Sequence, residues 1–408
     1  MTLMTARKAI TLFTVFAIAY FLSALIRAIT ATLAPTLVGE FALNARDLGL
    51  LAGGYFLGFA ATQLPLGTWL DRFGPKRVIL SFLSIAVIGS FAFAQATSFA
   101  GLLASRILCG VGVSACLMAP LTGYRRWFSP ANLLRSNSWM LMVGAMGMVA
   151  STLPVQWLVP IVGWRPLFLT LAVLFALSMG LIAWQVPAWA HKPVDAVVES
   201  SPVPPGYGEI WRHPYFRKLV PLGFFNYGGL VAMQTLWAAP WMVKVAGYTP
   251  AQAATGLFGI NVAMLVSFLV WGWANPGLAR RGYSAERLIR YGIPLTFVLL
   301  AIIVIAGDAL STGSAIVWTL FCASCTVGAL AQPAVGMAFR PELAGRALSA
   351  YNLVIFSGVF AVQWGVGLLI DGFKASGWAE VAAYQGALAV YGLCCVGAYV
   401  FFLMSKKT

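Results

Sequence analysis

The sequence GTWLDRFGPKR at residues 67–77 separates two long apolar runs and is too short to form a domain of its own. An apolar helix that ends here exposes free carbonyl groups and the negative end of its dipole, so Arg72, Lys76 and Arg77 lie where cations are favoured. Asp71 is best explained if its carboxylate faces the N-terminus of another helix, whose free N–H groups attract anions. The turn therefore predicts a contact between helical segments. The alternative is a solvated turn that only anchors one membrane face.

Composition indicates the class of protein. The 408-residue chain is 61% hydrophobic and 9% charged, which no water-soluble fold of this size could cover with polar surface. Apolar runs of about 18 residues or more predict transmembrane helices. Twelve such runs predict an all-α polytopic membrane protein. The first six are approximately Ile10–Thr36, Leu48–Trp69, Val78–Gln95, Gly101–Thr122, Ser136–Pro160 and Pro166–Val186, and the second six are approximately Leu219–Val243, Ala251–Ala274, Leu288–Gly307, Gly313–Met337, Ala347–Ile370 and Ala379–Met404.

The turn also resembles the signature loop between the second and third helices of major facilitator superfamily transporters. That signature is G-x-x-x-D-[RK]-x-G-x-[RK]-[RK], and the chain meets every fixed position of it. The resemblance implies two pseudo-symmetric six-helix bundles with a substrate site at the midplane between them. It also implies a latch that holds one conformation until it is broken. The latch residues would be Gly67, Asp71, Arg72, Gly74 and Arg77.

A proline-rich interval of mixed charge, from His191 to Pro214, predicts a cytoplasmic linker between the two bundles. We expect an N-terminal bundle over residues 1–187, the linker over residues 188–216 and a C-terminal bundle over residues 217–408. An arginine lies five residues after a proline in the loops that follow the fourth and the tenth run, which supports internal repetition.

The distribution of charge explains the formal net charge of +15 without nucleic acid. If both termini are cytoplasmic, the inner loops and tails hold most of the Lys and Arg side chains. The outer loops hold only Arg46, Arg165, Lys244 and Lys374. This positive-inside bias sets the orientation in a lipid bilayer and needs no polyanionic partner. Compact loops and the lack of an N-x-[ST] sequon favour a bacterial inner membrane. We expect no cofactor and no metal, and a monomer, as is usual in this superfamily.

Arg27 lies inside the first apolar run. A cation there costs at least about 2.5 kcal/mol on insertion scales, so it should not face lipid. Tyr20, Ser23, Arg27 and Thr30 recur at helical spacing and share one face, which predicts a cavity wall. The segment from Arg27 to Pro35 resembles the first helix of organic-anion and organophosphate members, which implies that Arg27 binds a carboxylate or phosphate. In the alternative, Arg27 snorkels outward or bonds backbone carbonyls.

Acidic residues all lie in loops or near the ends of apolar runs, so no carboxylate can neutralise Arg27 at mid-depth. An unpaired cation in a cavity favours an anionic substrate. The same distribution leaves no membrane-buried carboxylate to carry a proton. If protons are coupled to transport, the acid group of the substrate, Asp71 or Glu40 must take part.

A second resemblance lies in the fourth run, where Arg106, Gly110 and Gly112 match the superfamily pattern R-x-x-x-G-x-G. In some members the arginine is linked to energy coupling, which makes Arg106 a coupling candidate. Glycines at this spacing are also common where membrane helices pack closely. Arg106 lies about 9 Å from the outer end of its run at about 1.5 Å per residue, so snorkelling to the surface is the alternative.

Polar and aromatic side chains on shared helical faces extend the predicted cavity. Each of them alone is more often a contact between helices than a ligand contact. As a set around an arginine, they indicate a pocket for a small anion with an apolar or aromatic body. Besides Tyr20 and Arg27, the predicted substrate-binding residues are Gln63, Trp139, Tyr227, Gln234, Trp237, Asn261, Gln332, Asn352 and Gln363.

The sequence thus predicts a twelve-helix secondary transporter that works by alternating access and takes up a small organic anion, above all a carboxylate, with protons. Proton-coupled drug efflux is the alternative, although the fifth run lacks the G-P-x-x-G-G pattern of the antiporter branch. We expect no enzyme, because the apolar runs contain no nucleophile with a base, no paired acids and no metal cluster. We expect no receptor, because the linker is too short for a signalling domain.

Overall fold

The computed structural model describes residues 6–188 and 207–405, which form helices joined by short turns, with no strand among them. Within these residues, eight helices are long and apolar enough to cross a membrane, or nine if the bent pair Arg135–Ala150 and Leu153–Val162 counts as one span. The helices of residues 6–188 are α1 (Ala6–Phe41), α2 (Ala45–Ala61), α3 (Gln63–Gln95), α4 (Phe99–Val113), α5 (Ala115–Trp127), α6 (Pro130–Ala150), α7 (Leu153–Val162) and α8 (Trp164–Gln185).

The second part of the chain is less regular. Two π-helical segments, Leu222–Tyr227 and Met233–Trp237, divide the seventh predicted span, and 3-10 segments occupy Gly307–Gly313 and Thr326–Leu330. The α-helices of this part are α9 (Tyr207–Arg212), α10 (Pro214–Pro221), α11 (Gly228–Ala232), α12 (Ala238–Lys244), α13 (Pro250–Arg280), α14 (Ala285–Ala306), α15 (Ser314–Cys325), α16 (Ala331–Met337), α17 (Pro341–Ala375) and α18 (Glu380–Met404).

The helices confirm an all-α polytopic membrane protein, whereas the count of twelve spans stays a prediction. The second predicted span, Leu48–Trp69, overlaps α2, which has only 17 residues and ends at Ala61. The ninth and tenth predicted spans lie in one helical run of 53 residues, Ala285–Met337. About 20 residues suffice to cross a bilayer, so this run is long enough for two passes. The division into bundles also stays a prediction, and most of the predicted linker lies outside the described residues.

The charged turn at residues 67–77 is a kink within α3 and not the separate loop that the sequence predicts. Gly74 has φ 77° and ψ 163°, outside the helical region. A side chain at a positive φ of this kind is strained, so glycine is required here. Pro75 follows and begins the next helical stretch, where its fixed φ is compatible with a helix.

The contact between α2 and α17 is the most extensive one between the two parts of the chain. A Cβ at Gly49 of α2 would overlap the carbonyl oxygen of Gln363, so the two backbones touch there. Further along, the rings of Phe56 and Phe59 lie 6.2 and 4.4 Å from the ring of Phe356. Small residues allow this close approach of membrane helices. The α2–α17 pair therefore joins the first and second parts of the chain.

Hydrogen bonds join the same two helices at the end of the bundle that carries Asn44, which we call the Asn44 face. The Asp371 carboxylate of α17 accepts hydrogen bonds from the N–H groups of Ala45 and Arg46, at 3.2 and 2.7 Å. These N–H groups belong to the first turn of α2, where the helix lacks internal partners and its dipole favours an anion. Asp371 thus closes the α2–α17 pair at this face.

A different contact closes the opposite end, which carries the turn at residues 67–77 and which we call the Asp71 face. The Tyr207 hydroxyl of α9 donates a hydrogen bond to the Leu64 carbonyl of α3 at 3.0 Å. A Glu209–Arg340 ion pair, at 3.2 Å, links α9 to the start of α17. The short helix α9 therefore bridges the two parts of the chain at this face.

The α2–α17 contact generates a test of packing. We expect Gly49→Ala to lower the midpoint of thermal unfolding of the purified protein, because overpacking costs about 1–3 kcal/mol. The matched control is Gly180→Ala in α8, where a Cβ meets no atom within 4 Å. An equal midpoint in the two variants would contradict the close contact at Gly49.

Candidate functional site

A small cavity of about 70 Å³ surrounds the guanidinium of Arg27, and we call it the Arg27 cavity. It lies about 20 Å from the Phe41 end of α1 at about 1.5 Å per residue. Helices from both parts of the chain form its wall. Its lining residues are Tyr20, Ser23, Arg27, Phe59, Gln63, Val113, Ser114, Leu117, Met118, Asn352 and Phe356.

Aromatic faces and hydroxyl groups surround the Arg27 cation. The guanidinium carbon lies 5.5 Å from the ring centroid of Phe59 and 6.0 Å from that of Phe356. At up to about 6 Å such a ring attracts a cation. Tyr20 and Tyr55 interact with it electrostatically. Its buried Nε atom has no hydrogen-bond partner, and no ion pair joins Arg27 to a carboxylate among the residues that the structure describes.

The structure brings several predicted site residues together at this cavity. Tyr20, Gln63 and Asn352 line it with Arg27. Tyr227 lies close enough to Tyr20 and Arg27 to interact electrostatically with both. These residues come from α1, α3, α17 and the first π-helical segment. Gln332 does not line the cavity but contacts a residue that does. Its Nε2 atom donates a hydrogen bond to Asn352 Oδ1 at 2.6 Å.

Four other predicted residues form a separate buried group that we call the amide layer: Gln234, Trp237, Asn261 and Gln363. Gln234 Nε2 donates to Asn261 Oδ1 at 2.7 Å, and Trp237 Nε1 donates to the Gln363 carbonyl at 3.1 Å. The layer does not line the Arg27 cavity. On α17 its glutamine lies eleven residues beyond the asparagine of that cavity, about 16 Å along a helix. Helical spacing predicts which residues share a face but not how deep in the bundle each of them lies.

Trp139 does not reach the cavity. Its side chain is 51% exposed, because the adjacent face of α6 packs on α1. Gly144 and Gly147 form that packing face, against Tyr20 and Phe21. The indole therefore points away from the bundle interior, where an amphipathic ring suits a membrane surface.

Sequence reasoning missed the two phenylalanines that flank Arg27. Phe59 lies four residues before Gln63, and Phe356 lies four residues after Asn352. Residues four apart on a helix share a face. Asn352 of α17 therefore indicated Phe356, and Gln63 indicated Phe59 within the predicted span Leu48–Trp69.

Arg106 is fully buried, so it does not snorkel to the surface. Its Nη1 atom donates a hydrogen bond to the Ile26 carbonyl at 2.9 Å, and its guanidinium carbon lies 5.0 Å from the ring centroid of Tyr55. Its Nε and Nη2 atoms are buried without a hydrogen-bond partner. Arg106 thus contacts the backbone next to Arg27, and its coupling role stays a prediction.

The predicted latch residues lie at the Asp71 face, near the second part of the chain. Burial raises the pKa of the Tyr207 hydroxyl, nearby Arg346 lowers it, and Asp71 raises it further. Asp71 and Arg346 are therefore both close to the hydroxyl that bonds Leu64. A Cβ at Gly67 would lie 3.9 Å from Ser349 Oγ of α17.

The structure also places the latch residues Arg72, Gly74 and Arg77. The guanidinium carbon of Arg72 lies 5.2 Å from the ring centroid of Phe73, and Gly74 forms the kink. The Arg77 side chain is exposed. The switching function of the latch remains a prediction.

A larger crevice of about 390 Å³ opens between the two parts of the chain at the Asn44 face, and we call it the Lys244 crevice. Lys244 and Lys374 both pair with Glu380 Oε1, at 3.6 and 3.7 Å. The lining residues are Ala31, Thr32, Ala34, Pro35, Val38, Gly39, Leu43, Asn44, Ala45, Leu48, Ala239, Pro240, Val243, Lys244, Pro250, Ala253, Ala254, Leu257, Ile370, Lys374, Glu380 and Tyr384.

The chain matches the family model of the Major Facilitator Superfamily over residues 16–363. The chain belongs to the major facilitator superfamily. The members of this superfamily are transporters of small molecules and not enzymes, and the apolar helices of the described residues make this chain a multi-pass membrane protein.

Three relatives illustrate the range of similar transporters. The uncharacterized transporter YybO of Bacillus subtilis strain 168 is 25% identical over 67% of this chain, which spans 64% of that protein, a little under two thirds. The 4-hydroxybenzoate transporter PcaK of Acinetobacter baylyi is 24% identical over 76% of this chain and 73% of its own length. The multidrug transporter MdfA of Yersinia pestis is 25% identical over 66% of this chain and 62% of its own length.

Solved structures show the same fold. A D-xylose–proton symporter superposes with a TM-score of 0.77 at 13% identity, with 98% of each chain covered. A bacterial homologue of the human lysosomal transporter Spinster superposes with a TM-score of 0.75 at 16% identity, again with 98% of each chain covered. At these identities the likeness concerns the fold alone.

The contacts at the two faces generate a paired test of alternating access. We expect Asp371→Ala to favour opening at the Asn44 face, because it removes the acceptor from the first turn of α2. We expect Tyr207→Phe to favour opening at the Asp71 face, because it removes the hydroxyl that bonds Leu64. The measurement is the alkylation rate of Leu48→Cys, which lines the Lys244 crevice, with the native cysteines replaced.

Asp371→Ala should speed that alkylation and Tyr207→Phe should slow it. Asp308→Ala, which removes an exposed carboxylate from the Gly307–Gly313 segment, is the control for the loss of a charge. If both variants changed the rate in the same direction, the two contacts would not oppose each other.

Proposed function

We propose that this protein is a secondary active transporter that takes up a small organic anion by alternating access around the Arg27 cavity. The observation that carries the proposal is a partly buried cation at a cavity inside the helix bundle, with no carboxylate partner among the described residues. A substrate carboxylate supplies the missing charge. Its two oxygens match the fork of guanidinium donors, including the unpaired Nε.

The other cavity residues favour an anion with an aromatic body. The rings of Phe59 and Phe356 lie beside Arg27 and offer faces on which a substrate ring can pack. Gln63 and Asn352 supply amide groups at the same cavity, which can orient a hydroxyl or ring nitrogen of the substrate. An aromatic carboxylate therefore uses the charge, the rings and the amides together.

The cavity must widen to admit such a substrate. Its volume of about 70 Å³ is well below the roughly 300–1,000 Å³ of typical ligand pockets. At the Asn44 face, hydrogen bonds to Asp371 join α2 to α17, and at the Asp71 face α9 is bonded to α3 and paired with the start of α17. We infer that this arrangement is a closed state between the two open ones, and that the faces separate in turn.

We also propose that protons accompany the substrate. Glu40, one of the predicted proton acceptors, is held at the end of α1 by Trp164 Nε1 at 2.7 Å and by Arg165 Nη1 at 2.6 Å. These contacts favour a structural role for Glu40. Because Arg27 engages the substrate as a carboxylate, Asp71 is then the remaining proton acceptor of those predicted from the sequence. Arg106 couples through the backbone carbonyl next to Arg27.

The proposed setting is a bacterial inner membrane, with the Asn44 face outside and both termini in the cytoplasm. The positive-inside distribution supports this orientation, because the Asn44 face holds few cations compared with the opposite face. We propose that the protein acts as a monomer, since both candidate cavities are formed within one chain.

Similarity to the 4-hydroxybenzoate transporter PcaK supports the aromatic carboxylate. Similarity to the multidrug transporter MdfA supports the alternative, which is proton-coupled efflux of drugs or metabolites. The Arg27 cation favours the anion over the lipophilic cations that many drugs present. Anion uptake and drug efflux differ in the charge of the substrate, so measurements of ligand binding can distinguish them.

We expect Arg27→Gln to weaken binding of 4-hydroxybenzoate to the purified protein by at least about tenfold. The loss of a charge-assisted hydrogen bond costs about 1.5–3 kcal/mol, and about 1.4 kcal/mol is tenfold in affinity. The measurement is isothermal titration. The matched control is Arg281→Gln, which removes an exposed arginine and should leave affinity unchanged.

Two outcomes would contradict anion uptake. One is equal affinity for 4-hydroxybenzoate in the Arg27→Gln variant and the native protein. The other is selective binding of tetraphenylphosphonium that Arg27→Gln leaves unchanged, which would favour efflux.

A further inference from the structure

We propose that the Lys244 crevice is a second anion-binding site, in which Lys244 and Lys374 hold the carboxylate of an incoming substrate before it reaches the Arg27 cavity. The inference rests on the proposed uptake of an organic anion. It assigns a binding role to residues that sequence reasoning placed only in the outer loops.

The charges of the crevice favour an anion. Lys244 at the end of α12 and Lys374 at the end of α17 share a single carboxylate, that of Glu380 at the start of α18. Among the residues that line the crevice, these three carry the charged side chains, and their formal charges sum to +1. The lysine side chains are each 47% exposed and the glutamate side chain is 42% exposed, so water reaches all three groups. Exposed ion pairs at these distances contribute little stability and exchange readily.

Asp371, the acid nearest along α17, is already engaged. Its two carboxylate oxygens accept hydrogen bonds from Ala45 and Arg46 at the start of α2. It therefore helps to close the α2–α17 pair. Within the described part of the chain, Glu380 is the only carboxylate that forms an ion pair with either lysine.

The opposite wall of the crevice is apolar and belongs to the first part of the chain. Ala34, Pro35 and Val38 of α1 form it together with Leu43 and Leu48. A volume of about 390 Å³ lies within the range of small-molecule pockets. A cationic edge opposite an apolar wall suits an organic anion better than an inorganic one.

One face of α1 connects this crevice with the Arg27 cavity. Arg27 lines the cavity, whereas Ala31, Ala34 and Val38 line the crevice, and their spacing of three to four residues keeps them on one face. The eleven residues from Arg27 to Val38 span about 16 Å. The two sites are therefore successive positions along one path.

The amide layer separates the two sites in this state. Trp237 of the layer bonds the Gln363 carbonyl, and its ring centroid lies 6.3 Å from that of Tyr384 in the crevice. An anion held by the lysines thus rests above a closed barrier. The layer must rearrange before the anion can reach Arg27.

Glu380 competes with the proposed substrate, because its carboxylate occupies the position between the lysines that a substrate carboxylate would take. Removing that internal competitor should strengthen anion binding, whereas removing either lysine should weaken it. A purely structural ion-pair cluster would lose stability in all three variants. The opposite signs therefore separate a binding site from a structural cluster.

The test uses isothermal titration of 4-hydroxybenzoate into the full-length Arg27→Gln variant, in which the crevice remains. We expect Glu380→Gln in this background to tighten binding at least threefold, and Lys244→Gln and Lys374→Gln to weaken it at least threefold. Lys244→Arg, which keeps the charge, should retain binding. In the otherwise native protein reconstituted into liposomes, the KM for uptake should shift in the same directions while kcat changes less than twofold.

Failure of this inference can be told apart from failure of the proposed function. If the native protein binds 4-hydroxybenzoate through Arg27 but all three crevice substitutions leave KM unchanged, only the second site is overturned. A common loss of uptake in the three variants, with lower unfolding midpoints, would also overturn it. If the native protein binds no organic anion, the proposed function and this inference fall together.

Discussion

A guanidinium within an apolar helix must be stabilised by groups inside the protein, because lipid offers no partner for its charge. The rest of the site depends on that constraint. Arg27 cannot face lipid without a large cost, and the chain offers it no carboxylate at that depth among the described residues. Two phenylalanine rings and tyrosine hydroxyls stabilise the cation only in part, since its Nε stays unpaired. The proposed function supplies the missing partner as the carboxylate of the substrate.

The α2–α17 pair connects that site to conformational change. Close backbone contact at Gly49 and the Phe59–Phe356 stack place one wall of the Arg27 cavity directly on this contact. Asp371 holds the pair at one face, and α9 bridges the two parts of the chain at the other. Any separation of α2 and α17 consequently changes the cavity as well, which is the coupling that alternating access requires.

The sequence predicted the family and the helical class, because these depend on local features, namely apolar runs and a fixed turn signature. The predicted site stays a prediction, although the structure brings part of it together. Tyr20, Gln63 and Asn352 were found with Arg27 because helical spacing defines a face. Helical spacing does not predict how deep a residue lies in the bundle or how each helix is rotated against its neighbours. Gln363 shares a face with Asn352 but bonds in the amide layer, and Trp139 turns outward because α6 packs through its glycines. Both outcomes depend on which neighbour each helix meets.

The most direct test of an anion requirement at Arg27 is to compare two ligands of nearly equal shape that differ in charge. Isothermal titration of the native protein with 4-hydroxybenzoate and with 4-hydroxybenzamide isolates the carboxylate from the aromatic ring. The account predicts that the carboxylate binds at least about tenfold more tightly, as expected for a charge-assisted pair with the guanidinium. Equal affinity for the two ligands, or tighter binding of the amide, would contradict it.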